Sequence, residues 1–521
     1  MATKKMRVAV VGAGISGLAA IKESLAAGLE VDAFDAGEEI GGAWAYQNCA
    51  PDAGPRDVWS SMYQGTMLNS CRDTTSFTDF PFDPARYPDY FKHPLMLQYL
   101  NEYTDHFGLR KHIRLRTRVL SCTPRGDGSW TVTFQQDGSK MAEETTYDAV
   151  FACTGHLSSP QIPAFPGREK FKGQFFHSHY YRTPAAFEGK KVAIIGLGSS
   201  AVDIACEIAP QARELHVVTR RGGWVLPRYI LGKPTEAWDN RATQLWVPLA
   251  VSQWLQTKLL ALVDIQPPKE LKPDHRLLEQ SPTIRGDFLE KVATGLITIQ
   301  RASVDSFSET GLCLSNGTQL DDIDVVICAT GYNFFDFPYL PPDLLRDSST
   351  PPNAVDLYKF VMSPRYDNVF LLGFAETIGP LPPAVEAQAR HVVALLDGRI
   401  KRPSKDHMLE HIRKSHAFQA KHFVDSPRHA IAAHMIEYTD DLLGPLGAVP
   451  TFGKLLRKVF TARNPLRSLA VLNAVWFGIP SSAQWRLCGD GRKELLATET
   501  VLRIAGGRKE LSPRERELLG A

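Results

Sequence analysis

Short apolar runs recur along the chain, and two of them open the same succession of elements. Residues 8–11 read as a buried strand that runs into Gly12-Ala13-Gly14-Ile15-Ser16-Gly17. A helical pattern over 18–25 follows, and a second apolar run over 31–34 ends at Asp35. The run at 192–195 repeats the order, leading into Gly196-Leu197-Gly198-Ser199-Ser200-Ala201, a helical stretch over 202–208 and a strand over 215–218 that ends at Thr219-Arg220-Arg221. Two later strands, 149–153 and 325–328, are each followed by a Thr-Gly pair, Thr154-Gly155 and Thr330-Gly331. From about residue 404 the pattern turns mostly helical, with lysine- and arginine-rich surfaces. The fold expected is α/β, with two Rossmann-like dinucleotide-binding domains and a helical C-terminal part.

The glycines state what the turns must do. Gly12 permits a tight turn, Gly14 has no side chain to keep the backbone from a pyrophosphate, and Gly17 lets the helix pack close to the strand. With Ala13, Ile15 and Ser16 they form one candidate phosphate cradle, whose helix N-terminus offers N–H groups and partial positive charge. Gly196, Gly198, Ser199 and Ser200 form the second, with Ala201 as the smallest substitute for a third glycine. Asp35 lies where a carboxylate accepts hydrogen bonds from ribose hydroxyls and repels a 2′-phosphate. Arg220 and Arg221 occupy the matching place in the second unit, where guanidiniums suit the 2′-phosphate of NADPH. A merely solvated strand end is the other reading of that pair. The charge contrast points to a redox enzyme with two nucleotides.

Composition narrows this further. A chain of 521 residues is too long for one core and implies two or three domains. A net charge of +2 gives no reason to expect nucleic acid as partner. The cysteines, Cys49, Cys71, Cys122, Cys153, Cys206, Cys313, Cys328 and Cys488, form neither a CxxC pair nor a metal-ligand cluster. No metal site is expected, a disulfide reductase is disfavoured, and reduced thiols in a cytoplasmic setting are the expectation. Residues 1–6 lead straight into the first strand without a signal-peptide pattern. No run reaches the length of a membrane span. The apolar stripe over 246–265 reads either as an amphipathic helix touching a membrane surface or substrate entrance, or as core packing; 469–479 is a shorter stripe. Oligomeric state is open, a homo-oligomer included.

The proline-rich link 158–167 and the repeated Thr-Gly endings suggest that the chain crosses between domains twice. The expected division is 1–157 for the first part of one nucleotide domain, 158–331 for an inserted second domain, and 332–521 for the return.

Between the two fingerprints, Phe171, Gly173, His177 and Tyr181 spell FxGxxxHxxxY. On this motif the chain resembles the flavin-containing monooxygenases. The likeness extends to Gly41-Gly42-Ala43-Trp44, to Arg220-Arg221 with Gly222 through Val225, and to Ala329-Thr330-Gly331-Tyr332. Glu386, Gln388, Ala389 and Arg390 resemble a late E-x-Q-A-R segment, and 484–489 resembles the C-terminal part of animal-type members. Members often end in an apolar anchor, whereas 508–517 here is polar. The resemblance implies FAD in the first domain, with Gly42, Ala43 and Trp44 beside the flavin, and NADPH in the second. It implies that NADPH reduces FAD, that O2 adds as a C4a-hydroperoxide, and that a soft nitrogen or sulfur of a small amine or sulfide takes one oxygen atom. Asn69, after Leu68, matches the family asparagine near C4a and is the candidate catalytic residue; a turn residue is its plainer reading. Threonine is usual where Leu68 stands. His177 reads as a structural hydrogen-bonding residue rather than an acid or base. Baeyer–Villiger ketone oxygenation and an uncoupled NADPH oxidase are the alternatives; the former usually has tryptophan where Tyr181 stands.

Overall fold

Residues buried on both faces of a parallel sheet need no alternation of polar and apolar positions, and the apolar runs form such strands. The computed structural model describes residues 5–48 and 58–520, so Cys49 and the first four residues lie outside the described residues. In chain order, the first sheet takes β1 (Arg7–Val11), β2 (Glu30–Phe34), β3 (Ile113–Arg114) and β4 (Ala149–Ala152). The second takes β5 (Gln174–His177), β6 (Lys191–Ile195), β7 (Glu214–Thr219), β8 (Thr298–Arg301) and β9 (Val325–Cys328). Only afterwards does β10 (Val369–Leu371) return to pair with β4 of the first sheet. The orders are β10-β4-β1-β2-β3 and β8-β7-β6-β9-β5, with every pairing parallel. Each glycine-turn strand, β1 and β6, is thus the central strand of its sheet.

The two units repeat each other in finer detail. Gly12 and Gly196 have φ of +105° and +119°, values that glycine tolerates and other residues resist. A Cβ on Gly12 would stand 2.6 Å from the Cys153 carbonyl oxygen, and one on Gly196 would stand 2.3 Å from that of Ala329. Each turn therefore rests on the chain just beyond the parallel strand paired beside it, β4 in one unit and β9 in the other. Each unit also inserts a three-stranded antiparallel sheet before that strand: Thr117–Pro124, Trp130–Gln136 and Glu143–Tyr147 in one, Val304–Phe307, Leu312–Leu314 and Gln319–Leu320 in the other. The crossings lie side by side. Pro160 pairs antiparallel with Tyr332, Gln161 N donates to Gly331 O at 2.9 Å, and Asn333 N donates to Ser159 O at 2.8 Å.

The C-terminal part is helical, as the pattern indicates, and is fastened to the first unit. Helix α1 (Ile15–Ala26) follows the first glycine turn, α2 (Ser199–Ile208) the second, and α3 (Leu381–Leu396) packs against α1. Charges are buried at that contact. Lys22 reaches Asp79 at 2.6 Å, Arg486 pairs with Glu23 and Glu386, and Lys493 lies 3.0 Å from Asp79. Glu23, Asp79 and Glu386 converge closely enough to hold a cation, and these ammonium and guanidinium groups already meet them.

The apolar stripe over 246–265 is not one helix. Proline disfavours a helical residue before it, and the chain is extended at Val247 before Pro248, so Arg241–Trp246 and Leu249–Leu262 are separate helices. Trp246 stacks on Trp476 at 4.6 Å, while Trp254 and Leu262 are exposed. The shorter stripe falls in the helix Pro465–Phe477. Among the described residues, no helix is long and apolar enough to cross a membrane.

Candidate functional site

The first fingerprint turn does not stand alone. Gly41 N donates to Ala13 O at 3.0 Å, and a Cβ on Gly14 would lie 3.4 Å from Gly42 Cα. Thus Gly42, Ala43 and Trp44 close over the turn from Gly12 to Gly17, and Ser60 Oγ fixes them by donating to Ala43 O at 3.0 Å. Gly373 covers the start of α1, since a Cβ there would stand 2.0 Å from Ser16 Oγ. Asp35 is occupied in a way its position does not announce. Its two oxygens accept from Ala13 N at 2.6 Å and Gly37 N at 2.7 Å, so the carboxylate clamps the turn as well as ending β2. Burial raises its pKa despite those two donors.

The second turn is more open. Nothing lies within 4 Å of where a Cβ on Gly198 would be, and Ser199 and Ser200 begin α2 beside it. Neither α1 nor α2 has a side-chain cap or an acidic residue in its first turn, which leaves helix-start N–H groups for an anion. Arg220 and Arg221, past the end of β7, are exposed and have no ion-pair partner among the described residues. These features fit two dinucleotides: a closed, acid-ended cradle and an open, arginine-ended one.

The FxGxxxHxxxY segment joins the units. A Cβ on Gly173 would lie 2.5 Å from Phe171 Cζ and 2.8 Å from Asp324 O, so the motif glycine is sterically required. His177 is fully buried at the end of β5, and its Nδ1 accepts from His179 N at 3.1 Å. Burial pushes its pKa down to about 4, so the ring is neutral at pH 7 and acts as a structural acceptor. Tyr181 donates to Glu207 of α2 at 2.9 Å, and Tyr63 of the first unit donates to Asp203 of the same helix at 2.8 Å. Arg182, absent from the sequence reading, donates to Gln47 O at 2.6 Å and Ser60 O at 2.9 Å, as well as to His179 and Tyr181 carbonyls.

Asn69 sits on a loop held from both sides. Leu68 is buried and its N–H donates to Phe91 O at 3.0 Å, whereas Asn69 is exposed, its carboxamide unpaired among the described residues. The inserted unit grips the flanks. Glu236 accepts Cys71 N–H at 2.6 Å and the Tyr90 hydroxyl at 2.8 Å, and Arg228 Nε reaches Leu68 O at 3.4 Å. Sequence reasoning missed Glu236 and Arg228; no local pattern marks residues whose partners are 146 to 165 positions away.

Two parallel-sheet folds of the Rossmann type, one inserted between strands of the other, are the frame of an oxidoreductase that works with two dinucleotides. The chain belongs to the flavin-binding monooxygenase-like family, whose model matches residues 4–515. It is 34% identical to flavin-containing monooxygenase 5 of Cavia porcellus over 98% of this chain and 94% of that one. It is 33% identical to dimethylaniline monooxygenase (N-oxide-forming) 2 of Cavia porcellus, over 94% of this chain and 90% of that one. The solved S-allyl-L-cysteine S-oxygenase of Allium sativum shares the fold, with a TM-score of 0.63 and 24% identity across 85% of this chain and 88% of that one. The protein is a monooxygenase, with FAD and NADPH as cofactors and O2 and a small molecule as substrates.

Proposed function

We propose that this monooxygenase transfers one oxygen atom to a soft nitrogen or sulfur of a small amine or sulfide. In this reading residues 1–157 and 332–521 hold FAD, in the cradle of Gly12, Gly14, Gly17 and Asp35, and 158–331 hold NADPH, with Arg220 and Arg221 on its 2′-phosphate. Bound FAD, reduced by NADPH, supplies the activation of O2. The observation that carries the reading is the exposed Asn69 carboxamide, on a loop gripped by both nucleotide units. An amide donates a hydrogen bond to a developing oxyanion without releasing a proton, and its carbonyl accepts from a nicotinamide amide. The buried Leu68 and Phe91 contact keeps that loop closed against water on its inner side. Tyr181, committed to Glu207, stands where ketone-oxygenating relatives usually carry tryptophan, which favours heteroatom oxygenation.

Turnover with a tertiary amine, a thioether and a ketone, comparing NADPH consumed with product formed, tests the reading. Close to one N-oxide or sulfoxide per NADPH is expected. Ester from the ketone alone would assign Baeyer–Villiger chemistry, and hydrogen peroxide matching NADPH in all three would make the protein an oxidase. We place it in the cytoplasm, on the strength of the free cysteines, five of the seven described being buried. We infer a peripheral membrane contact from exposed apolar side chains, among them Leu262, Phe460 and Leu466 at 84%, 80% and 79% exposure. Failure to float with anionic vesicles would remove that contact.

A further inference from the structure

A cavity of about 340 Å³ opens between residues 239–252 of the inserted segment and the helices Lys405–His422 and Met435–Leu443. Its size falls within the roughly 300–1,000 Å³ of small-molecule sites. Trp246, Leu249 and Phe418 give it apolar and aromatic walls, and Asp239 and Glu437 give it two carboxylates.

Neither of these lining carboxylates has a counter-charge among the described residues. Some buried and half-buried acids are met by cations, Asp79 by Lys22, Glu386 by Arg486 and Glu376 by Arg428, and others, Asp35, Glu207 and Glu236, by neutral donors. Asp239 accepts from Gln244 Nε2 at 2.8 Å, and neither it nor Glu437 has a Lys, Arg or His within ion-pair distance among the described residues. Arg241, two residues on, is consumed by Asp440, giving it both terminal nitrogens at 2.6 Å. The lining imidazoles do not compensate. Burial lowers the pKa of His422 and brings that of His434 down to about 4, so both are neutral at pH 7. Burial and then the nearby Asp239 raise Glu437, and burial lifts Asp239 to about 6. Two atoms of lining residues, Gln244 Oε1 and His434 Nε2, are buried without a hydrogen-bond partner among the described residues. Asp239 is half-buried and held by the Gln244 and Gln256 amides, and Glu437 is exposed at the same cavity, so a cation entering between them meets two carboxylates that no cation among the described residues neutralises.

We propose that this cavity binds a small organic ammonium ion, its charge between Asp239 and Glu437 and its alkyl groups against Trp246 and Phe418. Aromatic faces attract such a cation through their quadrupoles, and the carboxylates supply the charge that selects it over a neutral molecule of equal shape. The site is distinct from the nucleotide cradles and lies three residues along the chain from Glu236, which grips the Asn69 loop.

Choline and its neutral carbon isostere 3,3-dimethylbutan-1-ol separate charge from shape, and choline has no nitrogen lone pair to oxygenate. In calorimetric titration of the full-length protein at pH 7.5, choline is expected to bind at least tenfold more tightly than the isostere. The combined Asp239→Asn and Glu437→Gln variant is expected to lose at least tenfold in choline affinity. Asp239→Lys, which places a tethered ammonium in the cavity, is expected to exclude choline while melting at or above the wild-type temperature. Equal binding of choline and isostere, or unchanged choline binding in either variant, overturns the proposal. Oxygenation of a neutral thioether by the wild-type protein, measured alongside, reports on the oxygen-transfer reading separately; its failure leaves the choline result standing.

Discussion

A methyl group on Gly17 would stand 1.8 Å from the Gly12 carbonyl oxygen, a distance no rotamer can relieve. Gly17→Ala is therefore expected to destabilise the first unit by about 1–3 kcal/mol, read as a lowered melting temperature together with weaker FAD retention. The equivalent place in the second unit already carries the fully buried Ala201, so the two turns differ in how closely helix and strand approach. Arg220 and Arg221 differ from the glycines in having no fold to support: both are exposed and unpaired among the described residues. Arg220→Ala is expected to raise KM for NADPH roughly tenfold to a hundredfold, the loss of a charge-assisted phosphate contact of about 1.5–3 kcal/mol, with KM for NADH nearly unchanged. Equal effects on the two reductants would contradict the assignment. At this scale the sequence is legible wherever a residue's reason is local. The sterics of Gly12 and Gly196 are written in their own turns, whereas the role of Asn69 is visible only through family resemblance. Asp35 was legible as the acid closing β2, but its hydrogen bond to Ala13 N appears only once strand and turn are assembled.

Elements were legible in proportion to their periodicity. The apolar runs became central strands, and Trp130–Gln136 alternates buried and less buried residues in a period of two that marks its antiparallel sheet, although that sheet escaped the sequence reading. The stripe over 246–265 misled because hydrophobic periodicity carries no information about the break that Pro248 imposes. The loop from Leu68 to Cys71 was least legible, since its geometry is set by Glu236 and Arg228 from another unit. Glu236→Gln keeps the shape and removes the charge that strengthens the Cys71 N–H bond. Faster amide exchange at Cys71 and a several-fold larger share of NADPH lost to hydrogen peroxide are expected, with KM for NADPH little altered. Unchanged exchange at Cys71 would show that the loop holds itself.

Across the whole molecule, buried neutral imidazoles set the response to acid. Burial holds His177, His391 and His429 down to about 4, below the ordinary 6.5. As pH falls below 6.5 the unfolded chain takes up protons that the folded chain refuses. The stability contributed by these rings is thus full above pH 6.5 and is lost toward pH 4, at up to about 1.4 kcal/mol per pH unit for each ring. Urea midpoints at pH 7.5, 5.5 and 4.5 are expected to drop steeply; a flat series would mean that the rings are accessible to protons in the native state. The nesting of one sheet between the strands of another has a consequence for how the protein comes into being. When Ala152 leaves the ribosome, the edge place beside β4 is vacant, and the strand that fills it lies some 215 residues downstream. At about 5–20 residues per second, the nascent first sheet waits on the order of 10–40 s with an unpaired apolar border, long enough for chaperones to engage it. The inserted unit, whose strands are contiguous in synthesis, is complete before its host can close.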